Sequence, residues 1–377
     1  MFNTFIETLF GNFTEITWKM AVMWIIGGVL IFLAIKKEME PSLLLPMGFG
    51  AILVNLPFSG AIGEEGVITI LFNSGIANEL FPLLLFIGIG AMIDFEPLLT
   101  NPKLMLFGAA AQFGIFFTLI MASFFFSPAD AASIAIIGAA DGPTSIFVAN
   151  MFKSKYLGAI TVAAYSYMAL VPIVQPPIIR LITTKKERMI RMDYSGVKVS
   201  KLTKILFPIV VTVITGLFSP QSVSLIGFLM FGNLIRECGV LGSLSDTAQK
   251  VLANLITLFL GITVAAKMTA GDFLRLETLL ILGLGLVAFV FDTFGGVMFA
   301  KFINLFSKKK INPMIGAAGI SAFPMSARVI HKMGLEEDSS NYLLMHAVGA
   351  NVSGQIASVI AGGLILNLVP SIFPGIM

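Results

Sequence analysis

Two stretches decide how this chain folds: SIAIIGAADGPTSIFVAN, residues 133–150, and NPMIGAAGISAFPMSARVI, residues 312–330. Both are apolar enough to enter a bilayer, yet Gly, Pro and polar residues interrupt each midway. A continuous lipid-facing helix cannot be written this way, because backbone groups freed at the interruption find no partner in hydrocarbon. Each stretch therefore reads as a helix that breaks inside protein.

Working outward, hydropathy marks ten further apolar segments. They lie at about 17–35, 42–56, 80–94, 104–126 and 156–182, then at about 204–218, 222–240, 248–267, 276–306 and 341–369. The composition agrees. The chain has 377 residues, 57% hydrophobic and 12% charged, with a mean hydropathy of +0.94. A soluble domain carries about 25% charged residues, so this chain could not cover a water-facing surface. Its apolar content allows about ten spans at roughly 20 residues each. A soluble enzyme and a single-anchor protein are excluded, as is an outer-membrane barrel, whose strands alternate polar and apolar residues.

The net charge of +3 is spread over loops, so no nucleic-acid partner is expected. The lone Cys238 excludes a disulfide framework, and His331 and His346 leave little for a zinc or haem site. The opening MFNTFIETLFGNFTE lacks the basic start of a secretory signal, so the first span is expected to stay. No Walker loop or dinucleotide fingerprint occurs, which argues against ATP as direct fuel.

Basic residues orient the chain. Arg180, Lys185, Lys186, Arg188, Arg191, Lys198, Lys201 and Lys204 face only Glu187 and Asp193 in one polar stretch. The positive-inside rule makes that stretch cytoplasmic, along with Lys36–Lys37 and Lys308–Lys309–Lys310. The loop 57–79 lacks Lys and Arg and holds Glu64 and Glu65, so it belongs outside. If every segment crossed, Lys36–Lys37 and the basic stretch would fall on opposite sides. If 131–152 dips in and returns, both are cytoplasmic, and 312–331 reads likewise as an element entered from the cytoplasm.

The halves also share sequence: IGAA at 137–140 and 315–318, DF at 94–95 and 272–273, and LFIGI at 85–89 with LFLGI at 258–262. The expectation is an all-α polytopic membrane protein with two inverted repeats, residues 1–183 and 204–377. Each repeat would hold about five spans and one re-entrant broken element, and a basic cytoplasmic linker, 184–203, would join them. Paired discontinuous helices in inverted repeats are the architecture of secondary transporters, with sites near the midplane.

Asp141 leads the candidate site residues. Gly142 and Pro143 unwind the chain beside it, and Thr144 and Ser145 offer hydroxyls. A carboxylate inside a membrane is functional by default. This one suits an alkali cation or a proton, or caps the helix that follows. The second break supplies Asn312, Gly316 and Ser321, as neutral oxygens and a close backbone approach, and Arg328, which receives an anion or snorkels to lipid phosphate. Tyr165, Ser166 and Tyr167 follow the first break, and Asn351, Ser353 and Gln355 follow the second, with Asn351 and Gln355 on one helix face. Asp292, mid-span, is an alternative proton or ion site, or a structural hydrogen-bonding group. Gln175–Pro176–Pro177 kinks or ends a helix.

GAADGPTSIFVAN, AAYSYMALVPIVQPPI, NPMIGAAGISAFPMSARV and LLMHAVGANVSGQIAS resemble signature stretches of the β subunit of sodium-translocating biotin-dependent decarboxylases, and the likeness runs to about residue 368. The resemblance implies a subunit that receives carboxybiotin from a soluble partner, decarboxylates it using a proton, and exports Na+. It implies sodium and proton residues at Asp141, Tyr167, Asn312, Gly316, Ser321 and Arg328, with Asn351 beside them. Of these, Tyr167 would relay the proton and Arg328 would hold the carboxybiotin carboxylate. The implied partners are a carboxyltransferase subunit, a biotin carrier protein or domain, a small membrane anchor subunit, membrane lipid and further copies of the chain. The implied place is the cell (inner) membrane. The residues alone also allow a sodium–solute secondary transporter that works without partners, or a non-transporting scaffold.

Overall fold

The computed structural model describes residues 12–38, 40–192, 198–322 and 324–375. Residues 1–11 of the opening stretch, Asp193 of the basic linker and Phe323 of the second break lie outside them. All regular structure among the described residues is helical. The first half runs α1 (Trp18–Lys36), α2 (Pro41–Val54), α3 (Val67–Gly75), α4 (Leu80–Met92), α5 (Met105–Ala111) and α6 (Phe113–Ser123), then α7 (Pro128–Ala135), α8 (Gly142–Met151) and α9 (Leu157–Ile182). The second half runs α10 (Lys201–Phe218), α11 (Val223–Glu237), α12 (Ala253–Val264) and α13 (Leu276–Phe306), then α14 (Met314–Ala317), α15 (Met325–Glu337) and α16 (Leu344–Ile372).

Six helical stretches among the described residues are long and apolar enough to cross a bilayer, and up to eight if each of two bent pairs counts as one span. The chain is thus a polytopic helical membrane protein. Sequence reading expects ten crossings. The difference lies in helices such as α2, whose 14 residues fall short of the roughly 20 that a straight span takes. In one bent pair, α3 and α4 meet at 63°. In the other, α9 turns by 65° between Met168 and Leu170, short of Gln175–Pro176–Pro177, and the helix then runs through these prolines to Ile182.

Burial sorts the helices. The apolar window of α16 is 72% buried and that of α10 only 11%, so α16 is central and α10 peripheral. Leu202, Val213, Leu217 and Phe218 of α10 turn outward, as expected of side chains that meet lipid. Close crossings depend on glycine. A Cβ on Gly90 of α4 would strike the carbonyl of Leu229 on α11, and a Cβ on Gly232 of α11 would strike that of Ile87. In the same manner Gly296 of α13 and Gly316 of α14 press backbone against backbone.

Both sequence-marked interruptions are breaks between helices. After α7 a tight turn over Ile136–Ala139 leads to Ala140 at φ 50°. That left-handed setting costs an L-residue about 1–2 kcal/mol, and it ends the turn so that Asp141 caps a new helix, α8. In the second half α14 ends at Ala317, and α15 begins only at Met325. The basic linker docks beside this second element: Arg188 pairs with Glu337 at 2.6 Å and Arg191 with Asp338 at 2.6 Å, while Arg180 near the end of α9 pairs with Glu336 at 2.9 Å. The Arg191 guanidinium holds the Asp338 carboxyl below its ordinary range.

Packing at the α4–α11 crossing is directly testable. Gly90→Ala places a methyl into a main-chain carbonyl and is expected to lower thermal stability in detergent by about 1–3 kcal/mol, the cost of overpacking. Gly283→Ala, where a Cβ meets open space, serves as the control and is expected to leave the melting temperature unchanged or raise it.

Candidate functional site

Asp141 is the N-cap of α8, and its position follows from local chemistry. Pro143 pre-sets the first helical turn, while the Asp141 Oδ1 accepts the Thr144 amide at 3.2 Å. Gly142 is required here, since any Cβ would enter the ring of Tyr165. Capping alone would leave the second carboxylate oxygen unused. Instead Oδ2 accepts three hydroxyls: Thr144 at 2.8 Å, Ser321 at 3.1 Å and Ser358 at 2.7 Å. Asp141 is buried, and no cationic side chain pairs with it among the described residues.

The three hydroxyls come from three parts of the chain. Thr144 belongs to α8, Ser321 to the second break, and Ser358 to the central helix α16. The breaks also join through backbone, because the Ser321 amide donates to the Ala139 carbonyl at 3.0 Å. Two side chains of α16 hold the second break in place. Asn351 donates to the Ile320 carbonyl at 2.6 Å, and the Gln355 amide donates to the Ser321 carbonyl. From α9, Gln175 donates to the Ala317 carbonyl at 2.8 Å and accepts from Ser326 at 2.9 Å. Two buried oxygens, the Tyr165 hydroxyl and Asn351 Oδ1, have no hydrogen-bond partner among the described residues.

A cavity of about 220 Å³ opens beside this cluster, lined by Asp141, Gly142, Tyr165, Ser321 and Gln355 and also by Glu40 at the start of α2. Burial pushes the Glu40 carboxyl above its ordinary range, and the charge of Arg328 pulls the other way. Another cavity, of about 260 Å³, is lined by Lys155, Lys267, Asp272 and Arg275 and by no member of the Asp141 cluster. Within it Arg275 pairs with Asp272 at 2.6 Å.

The sequence-marked residues divide into two groups. Asp141 and Ser321 touch directly, and Asn351 is tied to the residue before Ser321. Asn312 lies elsewhere: its side-chain amide donates to the Arg188 and Ile190 carbonyls of the linker at 2.8 and 2.9 Å. Gly316 sits at the crossing with Gly296. The Tyr167 hydroxyl donates to the Leu282 carbonyl on α13, and its ring covers Gly285. Arg328 is exposed on α15. Asp292 is wholly buried, with its carboxylate against Gly114 and Gly138 and neither oxygen hydrogen-bonded among the described residues. Sequence reasoning missed Ser358. Its signal was available, because residues 351, 355 and 358 are spaced i, i+4, i+7 and so share one helical face.

Chemically this is a cluster of hard oxygen atoms with one formal negative charge. A hydroxyl both donates and accepts. The same three hydroxyls that now donate to Asp141 can rotate and offer lone pairs to a cation held by the carboxylate. Hard cations take oxygen ligands, and the uncommitted oxygens of Tyr165 and Asn351 are of the same kind.

Comparison with known proteins agrees with that chemistry. The family model described as the Na+-transporting oxaloacetate decarboxylase beta subunit matches residues 19–369. The chain belongs to that family. It is 50% identical to the methylmalonyl-CoA decarboxylase subunit beta of Propionigenium modestum, over 92% of this chain and 94% of that one. It is 48% identical to the glutaconyl-CoA decarboxylase subunit beta of Acidaminococcus fermentans, over 95% of each. It is 44% identical to the oxaloacetate decarboxylase beta chain of Klebsiella pneumoniae, over 93% of this chain and 95% of that one. The protein is therefore the multi-pass inner-membrane subunit of a decarboxylase sodium pump, and not a solute transporter that works alone. As a β subunit it acts in a complex with other subunits.

Ser358 gives the sharpest local test. Ser358→Ala removes the shortest hydroxyl contact to Asp141 while leaving helix α16 intact. The sodium concentration for half-maximal decarboxylation is expected to rise about tenfold, the value of one hydrogen bond to a charged group. Sodium titration of the initial rate checks it.

Proposed function

We propose that Asp141, Ser321 and Ser358, with Thr144 and the neighbouring Asn351 and Tyr165 oxygens, form the sodium site of a carboxybiotin decarboxylase. Sodium is the cargo. Carboxybiotin is carried by a biotin carrier protein or domain and reaches the cytoplasmic mouth from a soluble carboxyltransferase subunit. Arg328, exposed on α15, receives its carboxylate. The bond between the ureido nitrogen and the carboxyl carbon breaks, CO2 leaves, and the nitrogen takes a proton. Tyr165 suits the proton relay better than Tyr167, because the Tyr167 proton is committed to the Leu282 carbonyl while the Tyr165 hydroxyl faces the Asp141 cavity. A small membrane anchor subunit and further copies of this chain complete the assembly.

The single observation that carries this reading is the meeting of both breaks at one buried carboxylate: Ser321 donates to Asp141 by side chain and to Ala139 by backbone. A proton and a sodium ion compete for that carboxylate, since one negative charge cannot hold both well. Proton arrival from outside then displaces sodium outward, and this competition couples decarboxylation to export. Asn312 and Gly316 serve the site indirectly, as anchors that set the position of the second break.

The inverted repeat, 1–183 and 204–377 about the linker 184–203, belongs to the same proposal. It is supported by packings that mirror one another when α2 is matched to α11 and α4 to α12. Thus α4 packs on α11 as α12 packs on α2, and α9 packs on α13 as α16 packs on α5. Ten crossings with two re-entrant elements follow from that symmetry together with the charge pattern.

Asp141→Asn keeps the size of the side chain but removes its charge and turns one acceptor oxygen into a donor. Sodium-dependent decarboxylation and sodium uptake into proteoliposomes are both expected to fall to background. Sodium transport at wild-type rates in that variant would overturn the assignment.

A further inference from the structure

The cavity beside Asp141 contains a second carboxylate that the proposed reaction leaves unused. Glu40 lines it together with Asp141, though the two lie 101 positions apart in sequence. The Glu40 side chain makes no cap hydrogen bond in α2, and it forms no ion pair among the described residues. It is half-buried, and its backbone takes φ 39°, a left-handed setting that non-glycine residues adopt at a cost. Arg328 is the cation whose charge acts on it. Arg328 does not itself line the cavity, but Pro324 does, and the Arg328 amide donates to the Pro324 carbonyl at 3.3 Å. Glu40 and Arg328 are thus near enough to feel each other yet not closed into a salt bridge.

We propose that Glu40 is the sodium-recruiting carboxylate at the entrance of the Asp141 cavity, and that carboxylate arrival at Arg328 switches it on. This rests on the reading of Asp141 and Arg328 given above and deepens it. Charge arithmetic carries the step. With Arg328 unoccupied, its positive charge offsets Glu40 and the entrance is close to neutral. When the carboxylate of carboxybiotin engages Arg328, the entrance gains one net negative charge and draws a cation inward. Sodium and carboxybiotin then bind with positive linkage, each raising the affinity for the other. CO2 leaves as a neutral molecule and the charge passes to the ureido nitrogen. When that nitrogen takes its proton, the extra negative charge is cancelled and the entrance returns to neutrality behind the sodium ion. Asn254 and Thr257 of α12 line the same cavity with neutral oxygens, which a partly hydrated ion can use on its way to Asp141.

The test uses the whole complex in proteoliposomes, with initial decarboxylation rates measured over a sodium titration. Glu40→Gln is expected to raise the sodium KM about fivefold to tenfold, the reach of one partly screened charge, with the loss falling on KM far more than on kcat. Glu40→Asp, which keeps the charge, is expected to restore most of the affinity. Raising ionic strength with choline chloride is expected to increase the sodium KM of the wild type and to have little effect on Glu40→Gln. A sodium KM for Glu40→Gln within about twofold of wild type, in a complex of normal composition, overturns the proposal. Should that variant not assemble, a wild-type sodium KM that ignores ionic strength overturns it equally. Because Glu40→Gln retains Asp141, that failure leaves the sodium site intact. Failure of the Asp141→Asn test removes both readings.

Discussion

A carboxylate buried away from cations has to be surrounded by donors, and that requirement organises the centre of this protein. Isolated inside the membrane, an ionised Asp costs several kcal/mol. Asp141 meets the demand with three hydroxyls and one amide, and those groups come from α8, the second break and α16. No single segment could supply them. The carboxylate therefore acts as a knot between parts of the chain up to 217 residues apart. The short helices, the strained Ala140 and the bend in α9 are the means by which the backbone reaches it.

The same geometry explains why so many glycines sit where they do. Gly142 lets Tyr165 lie against the start of α8, and Gly316 lets the second break press on α13. Backbone at membrane depth is tolerated only where protein or a water-lined cavity covers it, and these contacts provide the cover. A cluster assembled from separate segments also has a functional consequence. Whatever occupies Asp141 is felt at once by both breaks, through the Ser321 hydroxyl and through the Ser321–Ala139 backbone bond. Under the proposed function, ion exchange at Asp141 is transmitted through these bonds to both breaks.

Much of this was legible in the sequence. Interrupted apolar runs announced both breaks, and the buried Asp141 announced the site, because the cost of such a residue is independent of fold. Ser321 followed from the resemblance and from its place in the second break. Other features were not legible. The surroundings of Asn312 are not legible either: its side-chain NH2 donates to the linker carbonyls, a long-range contact no periodicity encodes. Tyr165 and Tyr167 are neighbours in sequence, and only the bend and packing of α9 turn one toward the cavity and the other toward α13. Glu40 carries no sequence signal at all, because it enters the cavity from the first half by tertiary packing. Hydropathy marks ten crossings where six to eight helical stretches are long and apolar enough by themselves, since it registers apolar length and cannot see where a bend divides it.

Under the proposed function, the two breaks jointly build one cation site around Asp141. The most direct measurement is a structure of the intact complex with thallium in place of sodium, located by its anomalous or difference density. The expected result is an ion in contact with the Asp141 carboxylate and the Ser321 and Ser358 hydroxyls. An ion bound tightly elsewhere, with Asp141 still hydrogen-bonded to its three hydroxyls, would contradict it.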